Sequence, residues 1–172
     1  MLAGFKFIAL FLALFLPAFF LLQPVRELNL FAAWSGQQLL GLLFGIPSLL
    51  AVSGGFPVLD LGGFSAEFVD LCSAKLELAV LFGIVFASFE KPLAYRLKGF
   101  LAGAAFLFAF NALRIALTLR AFSSSDLLWS ALLHDVLFRA SLVVGIVTFY
   151  ALWYYYALPR SKAGRRVRHR RP

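Results

Sequence analysis

The chain has 172 residues, 62% of them hydrophobic and 14% charged, with a formal net charge of +8. That much polar surface is too little to cover a water-soluble globule, so the composition excludes a free aqueous domain and points to lipid as the solvent. The single cysteine excludes an internal disulfide.

Apolar runs of about 18 to 22 residues extend from Phe5 to Leu22, Leu30 to Leu50, Leu71 to Phe89, Gly99 to Leu119 and Ala140 to Leu158. This is the length an α-helix needs to cross roughly 30 Å of hydrocarbon. The runs are apolar all round, without the alternation of a strand, so the expected fold is all-α. It is a polytopic membrane bundle of about five transmembrane helices with a structured outer loop. Only Lys6 stands near the start of the first run, and its exit, Leu22-Gln23-Pro24, lacks a small-residue cleavage pattern. It is therefore read as a retained span.

The segment Ala51 to Asp70 interrupts the helical pattern. Gly54, Gly55, Pro57, Gly62 and Gly63 break helix, while Phe56, Val58, Leu61, Phe64, Phe68 and Val69 remain apolar. Two readings stand: a pair of short extended stretches turning at Gly62-Gly63, or a plain linker.

No internal repeat is visible, and residues 1–158 read as one membrane domain. Residues 159–172 form a basic tail holding Arg160, Lys162, Arg165, Arg166, Arg168, Arg170 and Arg171 without an acid. Beside a span, such a tail reads as a cytoplasmic anchor on anionic lipid, and nucleic acid is not an expected partner. The tail and the basic loop Glu90 to Lys98 both face the cytoplasm by the positive-inside rule. Alternation then puts Ala51 to Asp70 and Arg120 to His134 outside, in a cell membrane.

This topology gathers chemistry on the outer face. Cys72 opens the third run, where a helix N-terminus and Lys75, one turn on, would favour a thiolate. A small apolar filler is the plain alternative. Glu77 is rotated well away from Cys72 on a helical wheel and reads as a packing residue. In the fourth run Asn111 and Arg114 share a face roughly 8 Å deep. A charge at that depth is a functional-site hypothesis by default, against an arginine that ties helices together through carbonyls. His134 follows the cap-like run Ser123-Ser124-Ser125-Asp126 at the same interface. A thiol, an imidazole and a guanidinium suit acyl transfer through a thioester: nucleophile, general base and acid, and oxyanion or carboxylate clamp.

The segments Val69-Asp70-Leu71-Cys72-Ser73-Ala74 and Asn111-Ala112-Leu113-Arg114-Ile115, followed by His134, resemble the exosortase and archaeosortase family over roughly Leu39 to Tyr150. The resemblance implies a multi-span membrane cysteine transpeptidase. Its partners would be secreted proteins ending in a PEP- or PGF-like motif, a transmembrane helix and a basic cluster. It implies Cys72 as nucleophile, Arg114 and His134 as its catalytic partners, and Asn111 in support. The family's cysteine motif commonly reads Cys-Ser-Gly, where this chain has Ala74, and its histidine is commonly followed by glycine at the place of Phe138. Arginine fills the third catalytic place in some relatives, so Arg139 and Arg120 are rivals of His134. One cysteine and two distant histidines give no ligand cluster, and neither metal nor organic cofactor is expected. The alternative class is a non-enzymatic transporter subunit or envelope assembly factor in which Arg114 holds an anionic solute.

Overall fold

The computed structural model describes residues 2–123 and 138–156. Helix α1 (Leu2–Leu22) leads into α2 (Glu27–Phe44), which ends as Gly45 takes a left-handed cap with φ 64° and donates its N–H to the Gly41 carbonyl. Strands β1 (Leu49–Ser53), β2 (Phe56–Asp60) and β3 (Ser65–Glu67) form an antiparallel sheet in that order. A 3₁₀ turn over Asp70–Cys72 precedes α3 (Lys75–Ala87), α4 (Leu93–Phe122) and α5 (Phe138–Tyr156).

The fold is mostly helical, as the apolar runs predict, with a small sheet in the place of the outer loop. Among the described residues two helices are long and apolar enough to cross a membrane, over Gly4–Leu22 and Leu93–Phe122, and Ala140–Tyr155 is a shorter apolar helix. The remaining runs overstate their helices. The second loses its end to β1, and the third has only 13 helical residues because Leu71 and Cys72 belong to the 3₁₀ turn and Phe89 to a loop. Conversely, α4 starts within the segment read as a basic loop. Arg96 lies in its first turns and donates to the Phe86 carbonyl at 2.9 Å, so its charge ends α3 without interrupting α4.

In the sheet, Ser53 pairs with Phe56. Gly54 and Gly55 therefore form a two-residue turn with φ 60° and 85°, a backbone that twists with the strands and that side chains resist. The expected turn at Gly62-Gly63 is present between β2 and β3, where the Gly62 N–H donates to Asp60 Oδ1 at 2.9 Å. The extended stretches are thus three.

Two apolar clusters hold the elements. Leu40 of α2, Leu59 of β2, Phe68 and Ile115 and Leu119 of α4 join the sheet to the second half of α4. Leu81 and Val85 of α3, Leu107 of α4, and Leu142, Ile146 and Trp153 of α5 form the other. A Cβ at Gly36 would stand 2.3 Å from Ile115 Cγ2, so only glycine lets α2 lie this close to α4. That contact fixes the stretch of α4 that carries Asn111 and Arg114.

Candidate functional site

Cys72 is placed by a strand, a turn and a left-handed residue in succession. The Phe68 N–H still belongs to the ladder, donating to the Pro57 carbonyl at 2.8 Å. Pro57 has no N–H to give in return, and the buried Asn29 amide donates to the Phe68 carbonyl at 3.4 Å and to Asp70 Oδ1 at 3.1 Å. The chain then tightens into the 3₁₀ turn, where the Cys72 N–H donates to the Val69 carbonyl at 2.9 Å and the Ser73 hydroxyl to the Asp70 carbonyl at 2.7 Å. Ala74 has φ 58° and ψ 19°, the left-handed region, and redirects the backbone so that α3 begins at Lys75. A glycine would adopt this conformation freely, whereas Ala74 holds it against its own Cβ.

Cys72 therefore stands ahead of α3, not in its first turn, and Lys75 is otherwise engaged. Its side chain is 1% exposed, and its ammonium donates to Asp70 Oδ1 at 2.6 Å and to the Gln23 carbonyl at 3.0 Å. The hydrogen bonds from Lys75 and Asn29 hold the Asp70 carboxyl below the usual carboxylate range, outweighing its slight burial. Lys75 thus braces the turn that carries Cys72.

The cation in the cavities of Cys72 is Arg114. Arg114 and Asn111 are both buried on α4. The Asn111 amide donates to the Cys72 backbone carbonyl at 2.9 Å, and its Oδ1 has no partner among the described residues. Cys72 and Arg114 together line two cavities. One, of about 100 Å³, is bounded by Glu67, Phe68, Thr118 and Leu119; the other, of about 240 Å³, by Leu71, Leu76, Glu77 and Val143. The Arg114 backbone carbonyl accepts from Thr118 Oγ1 at 2.8 Å.

The fold thus brings together Cys72, Asn111 and Arg114 from two elements. His134 and the basic tail lie outside the described residues. Of the rival arginines, Arg120 is exposed in the last turn of α4, and Arg139 is the second residue of α5. Sequence reasoning passed over Glu67 and set Glu77 aside, yet each lines a cavity with Cys72 and Arg114. Their signal was sequence proximity to Cys72. Among the described residues no group of three His, Cys, Asp or Glu side chains is placed to hold a metal.

Compared with models of known protein families, with curated proteins and with solved structures, the chain matches none of them.

Proposed function

We propose that this chain is a membrane-embedded cysteine transpeptidase or protease that acts on the C-terminal sorting signals of secreted proteins. The observation that carries the reading is the pairing of Cys72 with Arg114 on two shared cavities, with Asn111 bonded to the backbone of Cys72. A filler cysteine needs no buried guanidinium beside it.

In the proposed reaction the Cys72 sulfur attacks the scissile carbonyl, and His134 takes the thiol proton. The guanidinium of Arg114 donates to the oxyanion of the tetrahedral intermediate. Collapse breaks the C–N bond, His134 returns the proton to the departing amine, and a thioester on Cys72 remains. An acceptor amine completes transpeptidation, or water completes hydrolysis, and either regenerates the thiol. The role of His134 rests on the sequence alone.

A multi-pass membrane placement is part of this proposal. Its support is the large apolar surface left open on the helices, including Phe5 and Leu21 of α1, Leu42 of α2, Leu101 of α4 and Val144 of α5. Arg114 lies 21 residues beyond Leu93, roughly 32 Å along the helix, so the cavities and the basic loop stand at opposite ends of α4. In a Cys72→Ala background, a cysteine introduced for Gly62 should react with an impermeant thiol reagent in intact cells and one for Ala94 should not; the reverse pattern inverts the orientation.

The activity itself is tested by Cys72→Ala and Cys72→Ser in cells whose secreted proteins share one C-terminal motif, helix and basic cluster. Both variants should insert and accumulate, while those secreted proteins keep their C-terminal helix, as read by mass. Full trimming with Cys72→Ala, where no second such enzyme is present, overturns the cysteine mechanism and leaves the solute-binding alternative.

A further inference from the structure

The sheet ends, among the described residues, in an edge that leads to Cys72. The ladder bonds of β3 fix which backbone groups are spoken for: the Phe68 N–H donates to the Pro57 carbonyl at 2.8 Å, and the Phe64 carbonyl accepts from the Leu61 N–H at 3.0 Å. In an antiparallel pair these bonding residues alternate with residues whose N–H and C=O point the other way. Phe64, Ala66 and Phe68 therefore turn their backbone toward β2, and Ser65 and Glu67 turn theirs away, to the open edge. Ser65 and Glu67 are exposed, whereas Phe68 is buried in the cluster that also holds Leu59 and Ile115.

That edge is continuous with the candidate site. Ala66, Glu67 and Phe68 line the cavity of about 100 Å³ that Cys72 and Arg114 also line. Two residues separate the end of β3 from the 3₁₀ turn, whose last residue is Cys72. Ile115, Leu119 and Phe122 give the cavity an apolar wall across from the strand. An extended chain lying along β3 would meet main-chain partners at Ser65 and Glu67, an apolar recess for a small side chain, and then the thiol and the guanidinium.

We propose that β3 is the docking edge for the substrate: an extended segment of the secreted protein's C-terminal signal adds to the sheet as a fourth strand, pairing with the backbone of Ser65 and Glu67. This deepens the transpeptidase reading and rests on it. Strand addition draws affinity from main-chain hydrogen bonds and specificity from alternate side chains. The docked segment is read chiefly by its backbone, with one side chain in two admitted to the recess. It also explains why a helical bundle carries a sheet at this place, since an extended peptide has no backbone partners on a helix face.

The test uses the full-length protein in lipid nanodiscs and a synthetic peptide copying the C-terminal signal of a secreted protein that the wild-type strain trims. Single N-methyl groups are placed at successive peptide bonds upstream of the cleavage site. Strand addition predicts a period of two, with every second N-methyl raising KM about tenfold and leaving kcat within about threefold. On the protein side, Glu67→Pro removes an outward N–H that the ladder to β2 does not use, and should raise KM about tenfold over Glu67→Ala, which loses the same side chain but keeps the N–H. If Glu67→Pro does not accumulate, the N-methyl series on the unaltered protein decides. A flat N-methyl profile with normal, Cys72-dependent cleavage overturns strand addition alone. Cleavage that persists in Cys72→Ala, or no cleavage of any such peptide, overturns both readings.

Discussion

Asn111 and Cys72 are 39 positions apart in the chain, yet the Asn111 amide donates to the Cys72 carbonyl at 2.9 Å. The bond crosses from the middle of a long helix to a three-residue turn, and it ties the backbone of the candidate nucleophile to the helix that carries Arg114.

Replacing Asn111 with leucine should release that turn. A net hydrogen bond is worth about 0.5–1.5 kcal/mol, or about a two- to tenfold change in a population. Because Cys72 is the only cysteine, maleimide alkylation reports it without ambiguity. Asn111→Leu should raise the alkylation rate by about that factor and lower substrate processing. Unchanged values for both would show that the bond positions nothing.

Ala74 offers a test of opposite sign to the usual rule for helical proteins. A non-glycine residue in the left-handed region costs about 1 kcal/mol, so Ala74→Gly should stabilise the protein by about that amount and raise Tm by about 2–4 °C. Ala102→Gly, on an exposed face within α4, should lower it by a similar amount. Thermal unfolding in one detergent compares the two, and a fall in Tm for Ala74→Gly would contradict the φ of 58°.

Asp70 links this region to pH. Its carboxyl titrates below the ordinary carboxylate value, so its contribution to stability is complete above the unfolded value and is lost as pH falls through the folded one. Glu90 is held down in the same sense, chiefly by the Tyr154 hydroxyl at 2.5 Å, and acts in the same acid window. Asp70→Asn leaves the buried Lys75 ammonium without its anion. At pH 7 this should cost about 1–3 kcal/mol, between the values for exposed and buried pairs. The Tm gap between wild type and Asp70→Asn should hold steady above about pH 5 and narrow progressively below about pH 4; a gap independent of pH would show that the ion pair is not what the substitution removed.

Arg114→Lys keeps the charge and loses the planar fork. If the guanidinium contacts an oxyanion in two places, processing should fall about 10²–10³-fold while the protein still accumulates. Near-normal processing by this variant would reduce Arg114 to a structural charge.

The helices were legible in the sequence because continuous apolar runs leave little else to predict, and Arg114 stood out as a charge within one. The roles of Lys75 and Glu77 were not, for a specific reason. A helical wheel drawn from Cys72 assumes that the helix includes it, but the left-handed Ala74 breaks the phase between Cys72 and α3. Angles counted across that residue carry no meaning. Lys75 was harder still, since one of its partners is the Gln23 carbonyl, 52 positions away. The extent of α4 was hidden by Arg96 and Lys98, whose charges resemble a loop and whose stems suit a helix end.

The bond from Lys75 to Gln23 also sets an order of events during synthesis. At about 5–20 residues per second, Lys75 leaves the ribosome about 3–10 s after Gln23. Throughout that interval α1 exists without α3, the helix it will pack against, and in the membrane-embedded chain proposed above its nearly uniform apolar surface lets it wait in lipid without a partner. The buried ammonium has no such freedom. It can be enclosed only once Asp70 and the end of α1 are both at hand, so the turn bearing Cys72 is completed late, after the first helix has already been placed.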